Sequence, residues 1–450
     1  MSELNSEQTA KLLTLCKNPN QPDVATTVAK LRDAISKGAD VNTLTFKNSS
    51  KNDDTPHPPI LLACENDADP QFLQTLLDAG ASPNIPGGDT GVWTPLSWLA
   101  HTDTGTNIEE CMTILIKSDS LDPNFKDPEG FTYLYDLYYY KDALLDLIKT
   151  KGYRMYQETL DARCFRGNTS LLLRCCKSLG DEKNIEIIKA LLDVGADPNI
   201  TGDGDEGEKN EWTPLSWVGN LPKDSLDEET KLTVLRLFIN SDKLNPNVED
   251  NYGYTYLYDL YKHPHALLEF LDKKKDTLYL STLNTKCFDA QNTLLMEYCN
   301  LITRMDEDTA RIYHKLILKL VSLGVELNYV NSYRTTALDY LDRAIPDRQV
   351  DTDDRMRGLI HLYNVLSSNG AMTYQMVVLT TTPVIKRNVF ASNSNSKESE
   401  VVSMENVSPS QIRNAFIRNW AHLLPRPRLE GGRRKTRSKV IKRRKTRKHH

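Results

Sequence analysis

Tryptophan is scarce in this chain of 450 residues, with five, and cysteine is limited to eight. No two cysteines stand in a C-x-x-C spacing, and the pair Cys175 and Cys176 is adjacent, which suits neither zinc nor an ordinary disulfide. A disulfide scaffold is not expected at this size without a secretory signal. The opening MSELNSEQTAKLL lacks a basic n-region and an apolar core, so no signal peptide is read. No window approaches the ~20 apolar residues of a membrane span. These absences predict a soluble, intracellular protein, in nucleus or cytoplasm, with no membrane partner. Phosphate loops, G-x-S-x-G elbows and H-E-x-x-H helices are also missing. Nine histidines are present, but His263 and His265 flank Pro264 with no third ligand close in sequence. The acidic run GDGDEGEKNE from Gly202 lacks the terminal Glu spacing of an EF-hand and reads as a solvated loop. The expectation is therefore no catalytic residue, no metal, no cofactor and no enzyme.

Positive charge is scarce over most of the chain and crowded at one end. Residues 426–450 carry 13 Lys/Arg and one Glu, a net of +12. Removing that from the total of -5 leaves -17 on the first 425 residues. An acidic body with a basic tail reads as two functional parts.

What is present is repetition. WTPLSW occurs at Trp93 to Trp98 and again at Trp212 to Trp217, 119 positions apart. Following each copy come LDPNFKDPEGFTYLYDLY (Leu121 to Tyr138) and LNPNVEDNYGYTYLYDLY (Leu244 to Tyr261). LLDAGASPNI (Leu76 to Ile85) and LLDVGADPNI (Leu191 to Ile200) precede them. ARCFRGNTSLLLRCC at Ala162 is answered by TKCFDAQNTLLMEYC at Thr285. A three-unit block is thus duplicated near residues 56–165 and 167–288. Within the blocks, G-A-x-x-N recurs from Gly38, Gly80 and Gly195, and weaker versions occur at Asp122, Asn245 and Gly324. These marks fall roughly 40 residues apart, with apolar residues at helical spacing between them, and that pattern predicts a solenoid. Thr94 is placed to cap a helix with Pro95 at its first position, and Gly195 sits where a helix ends in left-handed geometry.

The pattern resembles the ankyrin repeat, whose first helix reads T-P-L-H-x-A and whose second ends in G-A-D-x-N. TPLSWLA from Thr94 and TPLSWVG from Thr213 match, with Ser97 and Ser216 in place of His. TALDYL from Thr336 is a further variant, and TYLYDLY from Thr132 and Thr255 replaces Pro with Tyr. The resemblance covers residues 8–373 in about nine units and implies an all-α solenoid of stacked helix–turn–helix units with short hairpin loops. Cys16, Cys64, Cys175 and Cys299 fall on the small position of the first helix and read as core, as do Cys164 and Cys287.

Ankyrin repeats that bind proteins make contact through hairpin tips and the concave first-helix face. That register places Trp93, Trp212, Phe131 and Tyr254 on the hairpin. It places Trp98, Trp217, Asp136 and Asp259 on the first helix, with Tyr139 and Tyr140 at its end. Together these form the candidate surface for another protein, since exposed Trp and Tyr anchor hot spots. For the four tryptophans, packing between repeats is an equal alternative. Tyr138 and Tyr261 read as core.

After the array, residues 374–407 read as a flexible linker and 408–424 as a short amphipathic helix with Ile412, Phe416, Trp420 and Leu423 on one face. Residues 425–450 form a disordered basic tail. Most of its charge is carried by Arg433, Arg434, Lys435, Arg437, Lys442, Arg443, Arg444, Lys445, Arg447 and Lys448, and with Lys439, 11 of the 16 residues between positions 433 and 448 are basic. Two basic clusters with a short spacer fit a nuclear localisation signal read by import receptors. Phosphate contact with nucleic acid, without sequence preference, is the other functional reading, and a solvated tail is the third. Degenerate repeats with such an end resemble proteins of large DNA viruses. The expected function is a non-enzymatic protein-interaction scaffold. Alternatives are a substrate adaptor for ubiquitin-ligase recruitment through 408–424 and a packaged, nucleic-acid-associated protein.

Overall fold

The computed structural model describes residues 3–46, 56–88, 92–165, 168–203, 212–222, 224–250, 253–345 and 354–381. Most of the expected linker, the helix at 408–424 and the basic tail lie outside the described residues. The chain divides into two compact units, Met1–Leu244 and Asn245–His450.

The first unit holds six helix pairs: Glu3–Lys17 with Val24–Ser36, Pro59–Glu65 with Pro70–Asp78, Pro95–His101 with Ile108–Lys117, Tyr133–Asp136 with Lys141–Lys151, Leu171–Cys176 with Glu182–Asp193, and Pro214–Gly219 with Glu228–Asn240. The second holds three: Tyr256–Leu260 with Pro264–Lys273, Leu294–Ile302 with Glu307–Ser322, and Ala337–Ala344 with Asp354–Ser368. A further helix, Tyr374–Thr381, closes its described part. Strand structure among the described residues is confined to the pair Thr45–Phe46 and Pro56–His57 and to single bridges that close the hairpins, such as Gly87 with Trp93.

Five of the described first helices start with the side-chain cap their sequence dictates. Thr94, Ser170, Thr213, Thr293 and Thr336 accept the N–H three residues on, in Thr336 as a full capping box with Asp339. In the TYLYDLY units Thr132 and Thr255 make no side-chain cap bond, and the helices that follow are only four and five residues long. Five second helices are capped by aspartate: Asp23, Asp69, Asp181, Asp227 and Asp306 each accept a backbone N–H. Those bonds hold the carboxyls of Asp23, Asp227 and Asp306 below the ordinary range.

The helix Glu182–Asp193 ends at Gly195, with φ +95°, where Ala196 N–H donates to Leu191 O at 2.9 Å. A Cβ there would meet only the far end of Lys243, at 3.1 Å from Nζ, so space is not the obstacle. The backbone itself is: Gly195→Val should lower stability by about 1 kcal/mol or more, because a β-branched residue is strained at positive φ. A melting midpoint left unchanged by that substitution would remove Gly195 from the helix terminus.

The recurring asparagine does more than form a local turn. Asn84 donates from Nδ2 to Ser120 O at 2.6 Å and accepts from Asp122 N–H at 2.8 Å, both in the next repeat. Asn42, Asn124, Asn247 and Asn328 make the same two-handed grip on the chain roughly 30–44 residues ahead. One side-chain amide thereby satisfies a donor and an acceptor of the neighbouring turn.

The cores are filled by the periodic leucines and by cysteine. Cys16, Cys64, Cys175 and Cys299 are buried, as the register requires, and Cys111 and Cys176 join them. Burial pushes the thiols of Cys111 and Cys175 up to about 12, so they are packing groups and not nucleophiles at neutral pH. Residues 374–381, read from the sequence as the start of the linker, are helical instead. Their entry is tied to the last pair: Tyr374 N–H donates to Asp339 Oδ2 at 2.8 Å, and Thr336 Oγ1 donates to Met372 O at 2.8 Å. Met376, within this helix, is buried.

Candidate binding face

The two WTPLSW copies build the same local device. Trp93 lies just before the cap and closes the hairpin, exchanging N–H···O bonds with Gly87 at 3.1 and 2.8 Å. A Cβ on Gly87 would stand 2.1 Å from Pro56 O, so only glycine admits this approach. Trp98 sits four positions into the helix, and its ring meets that of Trp93 edge to face, at 6.3 Å and 78°. Trp212 and Trp217 repeat this at 6.0 Å and 88°. A residue before the cap packed on the fourth helical residue is a hydrophobic staple that sets the entry of the chain into the helix. All four indoles are half-buried, so they staple with one face and leave part of the ring exposed.

Asp136 and Asp259 depart from the expected surface. They are only 8% and 5% exposed and do not belong to the outer face. Ser97 explains the first: standing where the repeat usually has His, it donates from Oγ to Asp136 Oδ2 at 2.6 Å. Thr94 Oγ1 donates to Ser97 Oγ at 3.3 Å and receives Tyr133 OH at 3.0 Å. The serine thus carries a polar joint between consecutive repeats. Nδ1 of His101 bonds the Ser97 carbonyl at 2.9 Å and not its hydroxyl, which is not a nucleophile–base arrangement.

Burial pushes the Asp136 carboxyl up to about 6, against the opposing pull of the Ser97 bond and of His101, whose Nε2 is 3.9 Å from Oδ1. A carboxyl raised in the folded state favours folding when protonated. Its contribution is complete below the unfolded value near ~3.9 and is lost as pH rises through about 6. Wild type should therefore gain stability relative to Asp136→Asn as pH falls from 7 to 4.5, by about 2 kcal/mol or less. Urea midpoints of both proteins at both pH values measure it, and equal pH responses would place the carboxylate in a solvated site.

The remaining aromatics form a cluster in each unit. In the first, Phe131 packs on Tyr135 at 4.5 Å, Tyr135 and Tyr138 each meet Phe165 at 5.2 Å, and Tyr139 stands against Tyr138 at 5.3 Å. Lys141 Nζ lies 3.6 Å over the Tyr138 ring, Arg174 lies over the same ring, and Lys177 Nζ lies 5.0 Å over Trp217. The second unit repeats the arrangement with Tyr254 stacked on Tyr258 at 4.3 Å and with Tyr258 and Tyr261 around Phe288 at 5.4 and 5.1 Å. Tyr138 is buried and Tyr261 half-buried. Phe131, Tyr140 and Tyr254 are half-buried, and Tyr139 is 84% exposed.

Sequence register alone misses Tyr135, Tyr258, Phe165 and Phe288, although their identity in the duplicated blocks was a usable signal. It also misses a set of exposed tyrosines: Tyr153, Tyr156, Tyr279 and Tyr333. Tyr156 and Tyr279 are duplicates, each with its N–H held by the asparagine of the preceding repeat. The basic-tail residues lie outside the described residues. Among the described residues no three His, Cys, Asp or Glu side chains gather as a metal cluster, and no helix is long and apolar enough to cross a membrane.

A Thr-Pro-Leu-capped helix pair, a bridged hairpin ahead of it and a positive-φ glycine behind it, repeated with an asparagine gripping the next copy, decide the architecture. The fold is an ankyrin-repeat array. No protein-family model and no curated protein matches the chain. Among solved structures it is similar to an ankyrin repeat protein at 18% identity over 52% of this chain and 96% of that one, with a TM-score of 0.32. An ankyrin repeat domain from Acinetobacter baumannii matches at 17% identity over 62% and 98%, with a TM-score of 0.30. An ankyrin repeat protein from Leishmania major matches at 14% over 81% and 99%, with a TM-score of 0.25.

Proposed function

We propose that the chain is a non-enzymatic scaffold that binds another protein along the hairpins and first helices of its ankyrin repeats. The observation that carries this reading is the aromatic row of the first unit: Trp93, Trp98, Phe131, Tyr139, Tyr140, Trp212 and Trp217 all keep exposed or half-exposed rings on hairpins and first helices or at their ends. Rigid aromatic side chains supply much contact area at little cost in rotamer freedom. Arg174 and Lys177 over neighbouring rings add fixed positive charge to the same row. A photo-reactive phenylalanine analogue at position 139 tests the reading. It should cross-link the partner, whereas the same group at Tyr153, which is exposed but follows the second helix of the pair, should not. Equal cross-linking at both positions would take the binding face away from the hairpins.

A second activity is proposed for the tail, favoured by the separation of charge: +12 on residues 426–450 against -17 on the rest. It serves nuclear import or contact with nucleic-acid phosphates, which no acidic body would make alone.

A further inference from the structure

In the second unit the helices Glu307–Ser322 and Asp354–Ser368 pack against each other. At their seam, where apolar contacts are the rule, two imidazoles meet: His314 Nε2 lies 3.0 Å from His361 Nδ1, with ring centres 5.1 Å apart. His314 is half-buried and His361 exposed, so the pair is reachable from solvent. Beside it opens a cavity of about 340 Å³ lined by residues that include Glu307, Arg311, Asp354 and Arg355.

We propose that His314 and His361 form a two-histidine site for a divalent transition metal of the zinc, nickel or copper class, clamping these two helices together. Two imidazole nitrogens 3.0 Å apart fit one ion at metal–nitrogen bonds of ~2.0–2.1 Å, with an angle near ~94° at the metal. That angle suits square or octahedral coordination directly and tetrahedral coordination after a shift of a few tenths of an ångström. The nearby carboxylates are engaged: Glu307 pairs with Arg311 at 2.9 Å, Arg311 also faces Asp308 at 3.6 Å, and Asp354 pairs with Arg357. Arg355 donates to Thr303 O. The ligand set is therefore two neutral nitrogens with water completing the shell from the cavity side. Nitrogen donors without free carboxylates select against magnesium and calcium. On binding, the ion replaces the single N–H···N bond of the pair, and one imidazole proton moves to the outer nitrogen of its ring or to solvent.

Full-length protein freed of metal by chelation, then titrated with Ni²⁺ or Zn²⁺, tests this. At about five times the dissociation constant the melting midpoint should rise by about 2–4 °C, and Mg²⁺ should have no effect. His314→Gln and His361→Gln should each remove that rise. Because the adjacent His449 and His450 offer a competing pair of imidazoles, the site-specific readout is Cu²⁺ electron spin-echo modulation, which should lose the seam signal in either variant. His361 is exposed, so its variant keeps the fold even if that of His314 does not. An unchanged thermal shift and an unchanged copper signal in folded His361→Gln would show the pair to be a hydrogen bond only and overturn the proposal.

Discussion

Trp98→Ala combined with Trp217→Ala should cost the protein about three orders of magnitude in affinity for its protein partner. Anchoring aromatics at interfaces are worth about 2 kcal/mol or more each when truncated, roughly 30-fold apiece. The two residues belong to repeats 119 positions apart, three units along an array in which each repeat packs on its neighbours, so their effects should add. Each is half-buried, so the exposed part of the ring is available to a ligand while the rest packs on Trp93 or Trp212. The measurement is capture by immobilised double variant against wild type, with far-UV circular dichroism as the control. Capture lost with helix content intact supports the binding face. Helix content lost in both single variants would reduce these residues to staples and sink the proposed face.

The isolated tail should bind duplex DNA at low salt without sequence preference and lose about a thousandfold in affinity between 50 and 200 mM salt. Residues 433–448 supply 11 positive charges, enough for ~6 phosphate contacts. Each releases roughly 0.9 counterion, which gives a log–log salt slope near -5. The segment has no aromatic residue to stack on bases, so single strands should gain no stacking advantage. Fused to a fluorescent reporter, the same residues should concentrate it in nuclei. A steep slope without nuclear accumulation assigns the tail to nucleic acid. Accumulation with negligible DNA affinity assigns it to import. A cytosolic reporter and a peptide indifferent to DNA would leave only a solvated tail.

The repeat architecture was written locally and could be read locally. Thr94 caps, Pro95 begins the helix and Gly195 ends one at positive φ, because each of these choices is decided within a single turn of chain. The small position of the first helix accepted Cys64, Cys175 and Cys299 for the same reason: helical periodicity alone directs it inward. The duplication likewise marked which aromatics would recur as clusters.

What the tertiary structure alone decided is the pairing of side chains between elements. Asp136 looks like a surface carboxylate on a helix, and only packing beside Ser97, 39 residues earlier in the chain, shows it to be buried; that burial pushes it up to about 6, against the pull of the Ser97 bond. Asn124 reads as a turn residue until its amide is found holding the backbone at Arg154 and Tyr156, which leaves the Tyr156 ring exposed. Residues 374–381 read as linker because their own composition does not demand a helix, and Asp339 and Thr336 supply the anchor from a different repeat. His314 and His361, 47 positions apart, carry no motif at all. A sequence states what each turn of helix prefers. Which residues of two neighbouring helices share a seam depends on how their ridges interlock, a property of the assembled pair that neither segment contains.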